Sequence, residues 1–267
     1  MNIYIDLTNQ FNEGRLRAVL SSGQAVVLHR LAIMSKDGDW IIREDDDSLR
    51  FILGVLDRHG ARYRFGAPLD ARWLAGGWSS HFEFMFGNMR IRTDFVSRPP
   101  RIAPARLAEI WKEQEDKEFP FIDLPDLAEI KKTNREKDYA IIGELARKMD
   151  LPELHLRYSR SARDILAAHA ENPGLVSRIL EERGVGNDIF DSREALESAL
   201  DAERRRLMHA NERRLGLYAS AAQSWANIWK EVQKQTEGLS LLEAHNIIKS
   251  KASGILPEVP QGGDAHE

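Results

Sequence analysis

The 267-residue sequence contains no cysteine. A disulfide framework and a thiolate metal site are therefore both excluded, and the composition suits a reducing cytoplasm. Charged residues interrupt the apolar segments, so no run is long enough to span a bilayer. The first ten residues, MNIYIDLTNQ, lack the basic and apolar regions of a signal peptide. These absences predict a cytoplasmic protein without a membrane segment.

The sequence also lacks a large excess of charge of either sign. Lys and Arg number 38, Asp and Glu number 42, and the formal net charge is -4. The electrostatic field of the whole protein therefore does not favour binding to nucleic acid, although the sequence still allows a local basic patch. The length and the 42% hydrophobic content suffice for one large core or two modest ones.

The first hundred residues alternate between short extended segments and helical patterns. Apolar alternation and turn residues predict strands at 15–20, 39–43, 63–66, 81–86 and 89–96, and helices at 24–33 and 45–59. We therefore expect an α+β or α/β fold, with a mixed sheet over about 15–96 and flanking helices.

Strands nearly vanish after the paired Pro99 and Pro100. Helical patterns cover 103–115, 125–133, 136–149, 161–169, 174–183, 193–235 and 240–251. We predict a first domain at 1–149 with a helical part at 103–149, an all-helical domain at 150–256 and a disordered tail at 257–267. The long segment is expected to break near Gly216 and to bury Trp225 and Trp229, which share a helix face at i, i+4.

Two aspartates follow a small-residue turn and an apolar helix in the stretch SGQAVVLHRLAIMSKDGDWII, which begins at Ser22. Alternate residues of a strand point to the same side, so Asp37 and Asp39 can offer both carboxylates to one site. In isolation, Asp-Gly-Asp is more typical of a turn. Asp94 lies in the later segment RIRTDFV, where the plainer alternative is a strand residue paired with Arg90 or Arg92.

Together these residues resemble the nucleotidyltransferase fold superfamily. Its signature is a strand-end Gly-Gly or Gly-Ser, then Asp-x-Asp or Asp-x-Glu, then a carboxylate on a neighbouring strand. The form found here is similar to a bacterial branch of stand-alone transferases and abortive-infection toxins. The sequence departs from the signature at Ser22, where glycine is usual, and at Gly38, where the family has an apolar residue.

The resemblance implies a role for each of these residues. Asp37, Asp39 and Asp94 would bind Mg²⁺ and carry out catalysis, with Asp94 also helping to activate the attacking hydroxyl. Ser22, Gly23 and Ser35 would contact the nucleotide, because the backbone N–H groups of such a turn can receive a phosphate.

A second segment, DLAEIKKTNREKDY from Asp126, is similar to a helical segment of the same branch. The resemblance implies that Lys131 or Lys132, with Arg135 nearby, neutralises phosphate charge. The plainer alternative for these cations is a solvated helix face and a helix cap. The resemblance spans roughly residues 15–148.

Two functions remain open from the sequence. The first is Mg²⁺-dependent transfer of a nucleotide from a nucleoside triphosphate to a hydroxyl on a protein, RNA or small molecule. The second is an inactive nucleotide-binding or interaction module in a toxin–antitoxin or phage-defence system, in which an antitoxin or a second copy of the chain contacts the helical domain. Neither involves a membrane.

Overall fold

The computed structural model describes residues 2–186, 190 and 192–260. Five strands in this part of the chain form one sheet: β1 (Ala18–Ser21), β2 (Asp37–Ile42), β3 (Arg62–Tyr63), β4 (Ser80–Phe86) and β5 (Met89–Val96). The strand order is β1-β2-β5-β4-β3. β2 and β5 run parallel, and the other neighbouring pairs are antiparallel. The predicted α+β architecture with a mixed sheet is confirmed.

The described residues also form thirteen helices. They are α1 (Ile3–Phe11), α2 (Ser22–Leu28), α3 (Asp46–Arg58), α4 (Ala71–Ala75), α5 (Pro104–Gln114), α6 (Leu124–Ile130), α7 (Glu136–Ala146), α8 (Pro152–Tyr158), α9 (Ala162–Glu171), α10 (Pro173–Glu182), α11 (Arg193–Ala221), α12 (Gln223–Gln235) and α13 (Leu241–Ala252).

One face of the sheet packs into an aromatic core. Trp40 on β2 stacks on Phe95 of β5 with ring centroids 5.4 Å apart, and Phe11 of α1 meets Trp40 edge-on at 5.3 Å. Trp225 and Trp229 of α12 belong to the same core and are 0% and 7% exposed. Their predicted burial is therefore confirmed.

Local backbone geometry shifts several predicted boundaries. The helix predicted at 24–33 starts at Ser22 and ends at Leu28, because the left-handed φ of 60° at Arg30 turns the backbone away from the helix axis. The strand predicted from Arg15 begins only at Ala18, since the side-chain oxygen of Asn12 accepts hydrogen bonds from the Arg17 and Ala18 amides in a turn. The predicted break of the long helix lies at Ala222 instead of near Gly216.

The chain forms two compact units. The first contains residues 1–122 and 216–267, and the second contains residues 123–215. These bounds differ from the domains at 1–149 and 150–256 that the sequence predicts. The first unit holds the sheet and the core described above. The second has a core of its own around Ile165, Val176, Ile179 and Leu196.

Part of the predicted disordered tail is described. The indole nitrogen of Trp78 donates to the carbonyl of Pro257 at 3.0 Å, and Arg72 lies 3.6 Å from Glu258. The rest of that tail, residues 261–267, lies outside the described residues. Across the described residues, every helix is too short or too polar to traverse a lipid bilayer.

Candidate active site

Asp39 and Asp94 are direct cross-strand neighbours on the parallel pair β2–β5. Register partners on adjacent strands project to the same face of a sheet, and strands lie about 4.8 Å apart. Asp37 precedes Asp39 by two residues and shares this face. The opposite face takes Trp40, Thr93 and Phe95, which are fully buried. The sequence-predicted carboxylates are therefore brought together on a partly exposed face, in the middle of the sheet.

Asp94 is held by two basic side chains on the same face. His81 of β4, its cross-strand partner, contacts Asp94 Oδ1 through Nδ1 at 2.7 Å. Arg64 donates to the same oxygen at 3.3 Å. Ser79 Oγ lies 2.9 Å from His81 Nε2, so a neutral His81 donates to Asp94 and accepts from Ser79. The plainer alternative, in which Asp94 pairs with Arg90 or Arg92, is wrong, because in the described residues Asp94 contacts Arg64 and His81 instead.

Gly66 allows the His81 ring to take this position. A Cβ on Gly66 would lie 2.6 Å from His81 Cδ2 and 3.1 Å from the Ser79 carbonyl oxygen. The carbonyl of Gly66 accepts a hydrogen bond from the Trp225 indole at 2.9 Å. The contacts around His81 are thus fixed by packing as well as by hydrogen bonds.

A second row of charges runs beside the first across β2, β5, β4 and β3. Asp37 is in register with Arg92, Arg92 with Glu83, and Glu83 with Arg62. Arg62 binds Glu83 Oε1 at 2.7 Å, whereas Arg92 lies 4.0 Å from Asp37 Oδ1. Asp37 Oδ1 is a buried atom without a hydrogen-bond partner in the described part of the chain. Arg92 therefore compensates the charge of Asp37 without satisfying this oxygen.

The turn between β1 and α2 contacts the residues just before Asp37. Ser22 has a left-handed φ of 48°, and a Cβ on Gly23 would lie 2.2 Å from Ser35 Oγ. The Gln24 amide donates to the carbonyls of Ser35 and Asp37 at 3.0 and 3.2 Å. Three of the predicted nucleotide contacts, Ser22, Gly23 and Ser35, are therefore neighbours at the end of β1.

Gly38 sits between the two aspartates because there is no room for a side chain. A Cβ there would lie 2.4 Å from the Trp40 ring and 2.5 Å from the Tyr4 ring. Tyr4 of α1 donates its hydroxyl hydrogen to the Lys36 carbonyl at 2.6 Å. The rings of Trp40 and Tyr4 thus fill the space that the apolar residue of the resembled family would occupy.

The charge of the aspartates affects Tyr4. Burial, followed by the negative charges of Asp37 and Asp39, raises the pKa of Tyr4 to about 12. A neutral Tyr4 is maintained at every physiological pH.

The three predicted phosphate cations belong to the second compact unit. Lys131 is 4% exposed and lies 3.9 Å from Asp138, which also binds Arg135 at 2.8 Å. Lys132 binds Glu129 at 2.7 Å. Lys131 is thus a buried, ion-paired residue at the end of α6, and not part of a solvated helix face. The phosphate role of these cations stays a prediction.

The carboxylates have the right chemistry for Mg²⁺, which prefers oxygen ligands and is commonly held by one or two carboxylates plus substrate phosphates. The unsatisfied Oδ1 of Asp37 can accept a cation. Among the described residues, however, no three His, Cys, Asp or Glu side chains are grouped closely enough to hold a metal ion by themselves. These residues therefore suit a metal ion that binds together with a substrate phosphate. They suit less well a metal ion that is bound before the substrate arrives.

No protein-family model matches the sequence, and no curated protein does either. Two solved structures are similar to this chain. One is described as a "putative nucleotidyltransferase from H. pylori", with 15% identity, a TM-score of 0.39, and coverage of 79% of this chain and 96% of that one. The other is JHP933 from Helicobacter pylori, with 14% identity, a TM-score of 0.40, and coverage of 80% and 93%. At such TM-scores the likeness does not decide function, which must be argued from the site itself.

Sequence reasoning missed the roles of His81, Arg64 and Arg92 at this site. Strand alternation already puts Arg92 on the face of Asp94. The two-residue turn Gly87-Asn88 between the strands sets a register in which Phe86 faces Met89 and His81 faces Asp94, so the sequence carried a signal for His81. The contact of Arg64 with Asp94 had no comparable local signal.

Proposed function

We propose that the chain transfers a nucleotide from a nucleoside triphosphate to an acceptor hydroxyl, with Mg²⁺ as cofactor, at Asp37, Asp39 and Asp94. One observation carries the proposal. Asp39 and Asp94 are register partners on parallel strands, and Asp37 shares their face two residues away. Three carboxylates share one partly exposed face, and the buried Oδ1 of Asp37 has no hydrogen-bond partner in the described part of the chain, which supports a cation-dependent function over a structural one.

In the proposed reaction, the acceptor hydroxyl oxygen forms a bond to the α-phosphorus of the triphosphate. The bond from that phosphorus to the pyrophosphate oxygen breaks, and pyrophosphate leaves. The hydroxyl proton passes to the carboxylate of Asp94. His81 and Arg64 both contact Oδ1 of Asp94, so they fix the carboxylate while its other oxygen faces the reacting group.

The remaining residues orient the donor. Asp37 and Asp39, with Asp94, would hold Mg²⁺, which when bound supplies positive charge to the phosphate oxygens. The backbone of the Ser22–Gly23 turn, supported by Ser35, would contact phosphate; Lys131, Lys132 and Arg135 are further candidates for phosphate contact. A cytoplasmic reaction is part of the proposal, since triphosphates and Mg²⁺ are abundant there.

A second candidate function is an inactive nucleotide-binding or interaction module, within a toxin–antitoxin or phage-defence system. The contacts of Asp94 favour it, because an oxygen already bonded to His81 and Arg64 is a poorer metal ligand. An antitoxin, or a second copy of the chain on the helical part, would be its partner. For the enzyme, the acceptor would be a protein, an RNA or a small molecule.

Labelled nucleotide transfer distinguishes the two functions. The full chain is incubated with bacterial extract and each of the four α-³²P-labelled ribonucleoside triphosphates, with Mg²⁺ or with a chelator. The transferase is expected to label one class of acceptor with Mg²⁺ only, and the label identifies protein, RNA or small molecule. Binding of triphosphate without any labelled acceptor would support the inactive module.

A further inference from the structure

A cavity of about 600 Å³ opens beside Asp37, where β2 and β5 begin. One wall is apolar and includes Ile3, Val27 and Met89. The polar side includes Gln24, Ser35, Lys36, Asp37, Arg90 and Arg92. The cavity therefore adjoins both the proposed metal site and the segment that contacts the Ser22–Gly23 turn.

Three cations and one carboxylate line this cavity in the described residues. Lys36 and Arg90 are exposed, and in the described part of the chain neither side chain forms an ion pair. Among the described residues, the ion pair of Arg92 is its 4.0 Å approach to Asp37. The other cross-strand neighbour of Arg92 is Glu83. Glu83 binds Arg62 at 2.7 Å, so it does not compete with the cavity for the Arg92 side chain. The cavity thus has an excess of positive charge with unused hydrogen-bond donors.

We infer that this cavity binds the polyphosphate of the donor nucleotide, with Lys36, Arg90 and Arg92 as its cations. The inference rests on the proposed function and adds residues that the sequence did not assign. Arginine guanidinium groups bind phosphate oxygens in a bidentate manner, and a lysine supplies a mobile point charge. The carboxylate of Asp37 in the cavity repels a bare polyphosphate, so a bound cation and these three side chains act together.

Lys131 contrasts with these residues in its surroundings. It is buried beside Asp138 at 3.9 Å, so a phosphate would have to compete with a carboxylate in a desolvated environment. Lys36 and Arg90 lose no such partner on binding. The energetic cost of engaging a polyphosphate is therefore smaller at the cavity beside Asp37.

Titration calorimetry with the full chain tests the inference. The probes are inorganic tripolyphosphate and a non-hydrolysable triphosphate analogue, both with Mg²⁺, and a nucleoside without phosphate. Arg92→Gln is expected to weaken tripolyphosphate binding about tenfold, because charged hydrogen bonds are lost. Arg90→Gln and Lys36→Gln are expected to weaken it several-fold. Arg50→Gln is the matched control, because it removes the same charge from an exposed position on α3 and should leave the affinity unchanged.

The outcomes separate this inference from the proposed function. If the wild type binds the triphosphate analogue and all three cavity variants bind tripolyphosphate with wild-type affinity, the inference is wrong while the function stands. If the cavity variants lose affinity but no nucleotide is ever transferred, the polyphosphate site stands and the transferase is contradicted. A wild type that binds neither probe overturns the inference. Lys36 and Arg90 are exposed, so their variants keep the test valid even if Arg92→Gln unfolds.

Discussion

Ser22 and Gly23 are small for different physical reasons. Ser22 has a φ of 48°, a left-handed conformation that costs a non-glycine residue about 1–2 kcal/mol. Gly23 needs no unusual φ, but a Cβ there would lie 2.2 Å from Ser35 Oγ and 3.0 Å from Ser35 Cβ. Strain at Ser22 is thus a conformational cost, whereas the constraint on Gly23 is close packing beside the proposed phosphate contacts.

The two positions should respond oppositely to substitution. Gly23→Ala is expected to lower the free energy of unfolding by about 1–3 kcal/mol, because the added methyl group overpacks against Ser35. Ser22→Gly should leave it unchanged or raise it by up to about 1 kcal/mol. Urea denaturation measures both. The double variant Gly23→Ala with Ser35→Gly should recover part of the loss; no recovery would show that Ser35 is not the obstacle.

Individual site residues differed in how far the sequence could identify them. Asp37 and Asp39 could be assigned to one side because strand alternation is local. Arg92 could have been assigned by the same rule, two residues before Asp94. His81 could have been assigned as well, because the two-residue turn Gly87-Asn88 fixes the β4–β5 register and so puts His81 opposite Asp94.

At the scale of elements, strong periodicity of buried and exposed residues was sufficient to predict the bounds of a strand. Apolar residues without a clear end signal were not sufficient to predict where a helix ends. β5 occupies residues 89–96 as predicted, because buried and exposed residues alternate along it. The helix after β1 was predicted five residues too long at its end, because apolar residues continue past Arg30 while the backbone turns away. In these cases hydrophobicity located the element and backbone sterics set its boundary.

A buried histidine connects α13 to β3. The amide of Leu69 donates to Tyr63 Oη at 3.0 Å, and Tyr63 Oη lies 2.7 Å from His245 Nδ1, to which its hydroxyl hydrogen can be donated when the ring is neutral. Burial lowers the pKa of His245 to about 4, with a further lowering by Lys249 that Asp70 partly opposes. The ring is therefore neutral in the folded protein at pH 7, as acceptance at Nδ1 requires.

Acid should destabilise the protein through this residue. Below the usual histidine pKa of about 6.5, the unfolded chain takes up a proton that folded His245 does not. This contribution is fully present above that pH and is lost as the pH falls toward 4. When the pH is lowered from 7 to 5, the His245→Gln protein is expected to lose about 2 kcal/mol less unfolding free energy than the wild type loses. Chemical denaturation at each pH measures this, with exposed His209→Gln as control; equal losses in all three proteins would contradict it.

At the scale of the whole molecule, the first compact unit is discontinuous in sequence. It contains residues 1–122 and 216–267, and its core combines sheet residues such as Phe82 and Phe95 with Trp225 and Ile248. Local patterns predicted the helices near the end of the chain, whereas α1 at Ile3–Phe11 was not predicted. They could not predict that the last two helices complete the sheet's core, because this association joins segments that are far apart in sequence.

Fragments should reflect this discontinuity. A fragment of residues 1–149 exposes core surface that α12 and α13 cover, so it is expected to be unfolded or aggregated. Residues 1–122 joined by a flexible linker to 216–267 should fold cooperatively. Circular dichroism and thermal unfolding compare the two. A cooperatively folded 1–149 fragment would contradict the role of α12 and α13 in this core.

The transfer of nucleotide by Asp39→Asn tests the central claim most directly. The substitution keeps the size of the side chain and removes one charge from the register pair of Asp39 and Asp94. At matched Mg²⁺, we expect labelled transfer to fall at least about 100-fold, because even residues behind metal ligands change activity 10- to 100-fold. The free energy of unfolding should be unchanged or slightly higher as carboxylate repulsion is relieved. Exposed Asp47→Asn on α3 is the control and should retain full transfer. Wild-type transfer by a folded Asp39→Asn protein would contradict the assignment of this site.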